Sequence, residues 1–363
     1  MRFVIAGGGT GGHLFPGMAI AEAFVERERA NEVLFIGTEK GIEAKVLAGG
    51  RFPLRTIQAK PLKGRSFLGK LKAIWAIPAA ISEAYAILRE FRPDLVLGVG
   101  GYASGPTLIA ASILRTKRAI HEQNVIPGMT NRILKWFSQR IFVSFEETKS
   151  YFPDGKTIVT GNPVRKEIFQ PGPNSKEIEK RKEARFTVLI FGGSGGAHRI
   201  NQAMMEALDL LQELRPSLRF FHQTGRDDVD WVSKGYQEKA FDAWVRPFFE
   251  DMATYYQLSD LIICRSGATT VAELALCGKA AILIPYPYAA HNHQVINAQK
   301  LVEMGGAQMI RDEELSGPSL AQAILELYHQ PEKRIRMEER IQQVGRPRAA
   351  EEIVDHCYAL VRG

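Results

Sequence analysis

Short apolar runs alternate with longer amphipathic stretches along most of the chain. In the first half the runs are Phe3–Ala6, Val33–Ile36, Leu54–Gln58, Leu95–Val99, Ala119–His121, Ile141–Val143 and Thr157–Thr160. They are rich in β-branched and aliphatic residues and predict strands. Between them, Gly17–Arg29, Gly69–Glu90 and Gly128–Ser138 repeat apolar positions at helical spacing. Strand, helix, strand, repeated in this way, predicts a parallel sheet covered on both faces. The second half repeats the pattern with Thr187–Phe191, Arg219–His222, Trp244–Val245, Leu261–Cys264, Ala281–Pro285 and Gln308–Ile310. From Lys166 to Arg185 the chain carries Pro171, Gly172, Pro173 and Asn174 and then mixed charges, a linker composition. Pro331 to Arg362 reads as helix, broken at Arg346-Pro347-Arg348. The expected fold class is therefore α/β, with two doubly wound Rossmann-like domains facing across a cleft. Residues 1–164 form the first domain, 165–186 the linker and 187–345 the second domain. Residues 346–363 form a last helix that returns to the first. In such sheets the loops at the carboxyl ends of the strands are where ligands bind.

Length and charge narrow the picture. The 363 residues, 45% hydrophobic and 24% charged, suffice for two domains with real cores. Three cysteines, Cys264, Cys277 and Cys357, are too few for a disulfide framework and point to a reducing compartment. The opening residues reach glycine too early for a secretory signal, and no apolar run approaches the ~20 residues of a spanning helix. Residues 1–164 hold 22 Lys/Arg against 13 Asp/Glu, whereas the rest holds 25 against 27. The basicity belongs to the first domain, which is expected to face something anionic: nucleic acid, a membrane surface or a phosphate-bearing substrate.

Three glycine-rich turns each follow a strand and precede a helix. They are Gly7-Gly8-Gly9-Thr10-Gly11-Gly12-His13, Gly98-Val99-Gly100-Gly101-Tyr102 and Gly192-Gly193-Ser194-Gly195-Gly196-Ala197. Glycine lets backbone approach a ligand, and the following helix start offers N–H groups suited to phosphate. Gly7-x-Gly9-x-x-Gly12 also fits a dinucleotide fingerprint with Glu39 as ribose acid. Three loops exceed what one nicotinamide site needs; two diphosphate-bearing ligands explain them better.

Candidate chemistry clusters at the same strand ends. His13 closes the first loop, where an imidazole can exchange a proton near neutral pH. His121-Glu122-Gln123-Asn124 puts four polar side chains at one strand end, expected to point into the crevice. Gly161-Asn162-Pro163-Val164-Arg165 precedes the linker, and the planar fork of Arg165 suits phosphate or carboxylate. Arg265-Ser266-Gly267 leads into a helix holding Ala268 to Glu273, where the Glu273 carboxylate can accept from ribose hydroxyls. His291 and His293 lack a third ligand, so no zinc site is expected. No Asp-x-Asp follows a strand at the cleft, so no divalent ion is expected in the diphosphate site, and no cofactor.

Taken in order, these motifs resemble the MurG family, the transferases that add N-acetylglucosamine to the lipid-linked muramoyl-pentapeptide of bacterial cell-wall (peptidoglycan) synthesis. The resemblance rests on Gly8-Gly9-Thr10-Gly11-Gly12-His13, Gly100-Gly101-Tyr102, His121-Glu122-Gln123-Asn124, Gly161-Asn162-Pro163-Val164-Arg165, Gly192-Gly193-Ser194 and Arg265-Ser266-Gly267. It implies a GT-B fold, with the acceptor held mainly by the first domain and the UDP-sugar mainly by the second. Donor-binding positions fall on Thr10, Gly11, Gly12, Asn124, Arg165, Ser194, Phe249, Ala268, Thr269, Thr270, Val271, Ala272, Glu273 and Gln294. Acceptor-binding positions fall on Gly100, Gly101 and Tyr102. Two positions depart from the family's habit: His293-Gln294 stands where two glutamines are common, and Phe249 where a smaller aliphatic residue is.

The implied reaction is an inverting transfer from UDP-N-acetylglucosamine to the muramoyl C4 hydroxyl of undecaprenyl-diphospho-muramoyl-pentapeptide. His13 is the expected base, with Glu122 in reserve. Ser194, its loop N–H groups and Arg165 are expected to meet the departing diphosphate. A lipid-borne acceptor implies a peripheral enzyme at the cytoplasmic face of the plasma membrane. Lys60, Lys63, Arg65, Lys70 and Lys72 run into Leu71, Ile74, Trp75 and Ile77, and Lys135-Trp136-Phe137 with Arg140 repeats the mixture. Such mixtures suit an anionic membrane surface. No RNA-binding module is present, so nucleic acid is not expected. The rival readings are an NAD-dependent oxidoreductase using Glu39 and a nucleotide-sugar sensor without turnover.

Overall fold

A computed structural model of the chain describes residues 1–59, 76–169, 185–289 and 292–363. Lys60, Lys63, Arg65, Lys70, Leu71, Lys72, Ile74 and Trp75 of the basic stretch lie outside the described residues. So do the start of the helix predicted from Gly69, residues 170–184 of the expected linker, and His291. The chain forms two compact units, one of Met1–Arg165 with Arg346–Gly363 and one of Lys166–Gly345.

Unit 1 is built on β1 (Arg2–Ala6), β2 (Glu32–Gly37), β3 (Leu54–Thr56), β4 (Leu95–Gly98), β5 (Lys117–Glu122), β6 (Arg140–Val143) and β7 (Thr157–Val159). All pairings are parallel and the spatial order is β3-β2-β1-β4-β5-β6-β7. The strand side chains split between two cores by period two. Phe3, Ile5, Leu95 and Leu97 face one layer, and Val4, Ala6, Val96 and Ile36 face the other. Burial on both faces is why these strands read as continuous apolar runs. The first layer is α1 (Gly11–Arg27) with α13 (Ala349–Arg362). Ile353, Val354, Cys357 and Tyr358 of α13 join Phe3 and Phe24, whose rings stack at 3.7 Å. The other layer includes α3 (Ile77–Phe91) and α4 (Ser104–Ile113). The short helices α2 (Ile42–Val46) and α5 (Met129–Leu134) complete the unit.

Unit 2 carries β8 (Phe186–Phe191), β9 (Leu218–Gln223), β10 (Asp242–Arg246), β11 (Leu261–Cys264), β12 (Ala281–Leu283) and β13 (Ala307–Met309). They form a second parallel sheet in the order β10-β9-β8-β11-β12-β13. Its helices are α6 (His198–Leu210), α7 (Val229–Glu238), α8 (Met252–Leu258), α9 (Ala268–Cys277), α10 (His293–Glu303), α11 (Gly317–His329) and α12 (Pro331–Gln342). Val188, Ile190, Ile200, Phe220, Ile263 and Ile324 are each fully buried in its core. All three cysteines are free.

Each strand order reverses once. In unit 1 the reversal lies between β1 and β4, and in unit 2 between β8 and β11. The turns leaving those four strands are the three glycine loops and Arg265-Ser266-Gly267, so the motifs sit at the switch points where open α/β sheets bind ligands.

Two helix boundaries differ from expectation by about a turn or more. Helix α1 begins at Gly11 rather than Gly17. Its first turn consists of residues read as loop, because glycine disfavours helix interiors. Helix α5 ends at Leu134 rather than Ser138, and Trp136 and Phe137 close it with bonds three residues back, to the Ile133 and Leu134 carbonyls.

Candidate active site

In unit 1 the first two glycine loops lock together through backbone. A Cβ on Gly101 (φ +83°) would lie 2.2 Å from the Gly8 carbonyl oxygen, so only glycine permits the approach. His13 lies over the bare α-carbon of Gly100, where a Cβ would come within 2.6 Å of the ring. Its Nδ1 is 3.0 Å from Thr10 Oγ1. Thr10 is the N-cap of α1, yet its hydroxyl serves the imidazole rather than capping an N–H. Thr10 and Gly12 are exposed, Gly11 and His13 partly so, and Tyr102 is 42% exposed beside Gly9.

The His121–Asn124 segment is arranged differently from expectation. His121, Glu122 and Gln123 are buried, at 0%, 2% and 1% exposure, and only Asn124 reaches the surface in part. Gln123 Nε2 donates to the Val99 carbonyl and to His121 Nδ1, so His121 Nε2–H donates to the Gly161 carbonyl at 3.1 Å. Burial pulls the His121 imidazole down to about 4, against the Gly161 bond and with the charge of His13. Glu122 Oε1 accepts from the Asn124 N–H and side chain, at 3.0 and 3.3 Å. Its Oε2 accepts from Gly128 N–H and Asn131 Nδ2, at 3.0 and 2.9 Å. Burial pushes the carboxyl up and these bonds oppose it. This arrangement differs from the one expected of a base in reserve, which would need an oxygen open to the substrate. Its oxygens face inward and organise the loop that presents Asn124.

Arg165 stacks its guanidinium 4.1 Å above the Phe15 ring, a cation–π contact that aligns the fork next to α1. Its buried Nε and the buried side-chain amide of Asn162 have no hydrogen-bond partner among the described residues. Lys135 and Trp136 lie on the surface after α5, with Lys135 Nζ 5.3 Å above the indole.

In unit 2 the third glycine loop leaves Ser194 exposed. Gln223, the last residue of β9, holds the loop from below: its Nε2 donates to the Gly193 carbonyl at 2.9 Å. Its Oε1 accepts the Phe249 N–H at 2.8 Å. The Phe249 ring is buried and stacks on Tyr255 at 3.8 Å, so only backbone there can meet a ligand. Helix α9 buries Ala268 and Val271 and leaves Thr269, Thr270 and Ala272 partly exposed. Glu273 lies in its second turn, where Tyr256 hydroxyl donates to Oε2 at 3.0 Å and fixes the side chain. Gln294 Oε1 accepts the Tyr286 N–H at 2.9 Å. Arg265 is drawn to Asp312 at 2.7 Å and to the Ile284 and Pro285 carbonyls.

A polar chain ties the start of α6 to the end of β9 and the start of α7. Asp228 accepts from His198 Nδ1, Asn201 Nδ2 and Trp231 Nε1 within 2.9 Å, and Asn201 Oδ1 bonds His222. Burial takes His222 down to about 3, against the charge of Asp228. His121 and His222 are thus neutral in the fold while an unfolded chain protonates them near their ordinary 6.5. Their contribution is present above pH 6.5 and is lost as pH falls through 6.5 toward 4 and 3. Urea midpoints are expected to decline steadily from pH 7 to 4; equal midpoints across that range would contradict it.

Sequence reasoning missed Gln223, Asn131 and Asp228, which touch loops rather than form motifs. Gln223 was within reach, because it ends a strand on the binding edge. Glu39, the ribose acid of the nicotinamide reading, is exposed, and the acid that reaches the first loop is Glu43.

Residues 3–143 match the glycosyltransferase family 28 N-terminal domain, and residues 187–353 match its C-terminal domain. Over 361 residues the chain is 48% identical to a Myxococcus xanthus protein named UDP-N-acetylglucosamine–N-acetylmuramyl-(pentapeptide) pyrophosphoryl-undecaprenol N-acetylglucosamine transferase, covering 99% of this chain and 93% of that one. A Geobacter sulfurreducens protein of the same name is 48% identical over 362 residues, covering 100% and 99%. The crystal structure of Acinetobacter baumannii MurG superposes with a TM-score of 0.79 at 30% identity over 99% of both chains. None of these relatives supports an oxidoreductase. With both family domains matched and both parallel-sheet units in GT-B form, the chain belongs to glycosyltransferase family 28, as a glycosyltransferase of the MurG family.

Proposed function

We propose that the chain transfers N-acetylglucosamine from UDP-N-acetylglucosamine to undecaprenyl-diphospho-muramoyl-pentapeptide, the lipid I to lipid II step of peptidoglycan synthesis. The observation that carries this is identity of 48% with transferases of that name across 99% and 100% of the chain. Unit 2 holds the nucleotide: Glu273 takes the ribose hydroxyls, Ser194 and its loop the diphosphate, and backbone at Phe249 the base. Thr269, Thr270 and Ala272 line the same helix face. Gln294 offers its NH2 end to the sugar, since its oxygen serves Tyr286. Unit 1 supplies Thr10, Gly11, Gly12, Asn124 and Arg165 toward the donor and Gly100, Gly101 and Tyr102 toward the acceptor.

His13 is the base. A base at Nε2 requires the tautomer in which Nδ1–H donates to Thr10 Oγ1, 3.0 Å away. Nε2 takes the proton of the muramoyl C4 hydroxyl as its oxygen bonds the anomeric carbon from the face opposite the diphosphate. The anomeric C–O bond breaks, UDP departs with that electron pair, and the configuration inverts. N–H groups and Arg165 stabilise the charge gained by UDP.

The acceptor tail places the reaction at a lipid surface. No described helix is long and apolar enough to cross a membrane. Unit 1 exposes Met129 (64%), Ile133 (53%) and Trp136 (73%) along α5 and the turn after it, among Arg132 and Lys135. Exposed apolar groups with cations suit shallow insertion among anionic headgroups at the cytoplasmic face. Lys135→Glu is expected to weaken binding to phosphatidylglycerol vesicles about 10-fold. Unchanged co-sedimentation would remove this surface from the proposal. For the activity itself, the test is transfer of radiolabelled N-acetylglucosamine to a short-chain lipid acceptor. Product should form with UDP-N-acetylglucosamine; binding of the nucleotide sugar without product would favour a sensor.

A further inference from the structure

Behind the first glycine loop stands a carboxylate that no motif marks. Glu43 of α2 is 0% exposed. Its Oε2 accepts the Gly9 N–H at 2.7 Å, and its Oε1 accepts the Thr38 N–H and hydroxyl at 2.8 and 2.9 Å. A Cβ on Gly8, Gly37 or Gly41 would lie 2.4, 2.5 or 2.2 Å from the Glu43 side chain, so three glycines make the space for it. Burying a carboxylate is costly unless donors replace its water, and here three do. Gly9 immediately precedes Thr10, whose hydroxyl meets His13 Nδ1 at 3.0 Å. On its other side the loop is held by Gly101 against the Gly8 carbonyl. Three successive glycines carry no side chains to fix them and lose much conformational freedom when ordered. The Gly9–Glu43 bond anchors the loop's far end, as the Gly7 N–H bond to the Ile36 carbonyl at 3.1 Å anchors its start.

We infer that Glu43 is a positioning residue for the transfer: through the Gly9 N–H it sets the Thr10–His13 pair in register with the acceptor hydroxyl. This rests on the reading of His13 as the base. Glu43 touches no substrate, and it belongs to unit 1, whereas Ser194 and Glu273 belong to unit 2. Thr10, Gly11 and Gly12 also face the donor in the proposed reading, but its base and ribose are assigned to unit 2, so loosening the loop should act mainly on the chemical step and change UDP affinity little. Misplacing a reacting group by about 1 Å costs on the order of 10²-fold in rate.

The experiment compares Glu43→Gln, Glu43→Asp, His13→Ala and the Glu43→Gln/His13→Ala double variant in the full chain. It reads kcat for sugar transfer, UDP affinity by calorimetry and thermal midpoint. Glutamine keeps the shape but turns an NH2 group toward an N–H or a hydroxyl; aspartate keeps the charge but is one methylene short of Gly9. Both are expected to lower kcat ~10²-fold with UDP affinity within about 2-fold. Aspartate gives the result if the glutamine variant does not fold. The double variant should be no slower than His13→Ala within about 3-fold, because both losses pass through one element. A purely structural role would instead multiply the two losses. Multiplied losses, or kcat within about 3-fold of the parent for Glu43→Gln or Glu43→Asp, overturn the inference. Parental turnover by His13→Ala overturns the base assignment and this inference with it. Absence of transfer by the parent chain overturns the proposed activity first.

Discussion

His13→Ala is expected to lower kcat for sugar transfer by about 10²–10⁴-fold, the usual range for removing a general base. The ring has little other work to do. It is partly exposed at the start of α1, it rests on the bare α-carbon of Gly100, and its Nδ1 meets Thr10 Oγ1 at 3.0 Å. Removing it leaves the α1 cap and the sheet intact, so the thermal midpoint should move by only a few degrees. UDP affinity should stay within about 3-fold, since the base and ribose contacts are assigned to the other unit and His13 acts mainly in the transition state. Thr10→Val should show a smaller loss of the same kind, because the imidazole keeps its place but not its tautomer. Single-turnover transfer to the lipid acceptor, paired with calorimetry of UDP, measures both quantities. Transfer at the parental rate would move the base to another group.

The sheets were legible because each strand is buried on both faces. Phe3–Ala6 and Leu95–Leu97 contain no polar residue, and parallel strands of that kind declare themselves without any partner in view. The glycine loops were legible for the related reason that close backbone approach leaves glycine in the sequence. Gly101 against Gly8 is one such approach. Direction of side chains at a strand end was not legible. His121, Glu122 and Gln123 looked like a polar cluster at an opening, but the fold turns them into the protein, where Gly161, Gly128, Asn131 and Val99 supply partners from elsewhere in the chain. Glu43 left no trace for the same reason. Its donors, Thr38 and Gly9, lie 5 and 34 residues away, and no local spacing rule joins the second pair. The sequence pattern starts helix α1 six residues late because Gly11 and Gly12 open its first turn, and their low helix propensity is overridden by packing of Leu14, Ile20 and Phe24 on the sheet.

Glu122→Ala is the variant expected to damage unit 1 most, and through stability rather than chemistry. The carboxylate satisfies two backbone N–H groups and two side-chain amides in a volume closed to water. Alanine leaves the Asn124 and Gly128 N–H groups without their acceptor and takes one of two acceptors from Asn131 Nδ2, which keeps the His121 carbonyl. At ~1–3 kcal/mol for each buried unsatisfied group, partly relieved by an entering water, the loss is about 4 kcal/mol. For a unit of this size that corresponds to a midpoint lowered by roughly 8–16 °C. Glu122→Gln retains one carbonyl acceptor and the shape but sets an NH2 group against one side of the cage, so about half that loss is expected. The two roles assigned to Glu122 separate on this pair. An inward, loop-organising carboxylate gives kcat per folded molecule within about 10-fold of the parent for Glu122→Gln, with the loss concentrated in the midpoint. A base gives the reverse, a midpoint near the parent and kcat lowered as far as in His13→Ala. Differential scanning and transfer kinetics on the same preparations decide between them, because Asn124 can be presented to the donor only while the Glu122 cage holds the turn that carries it.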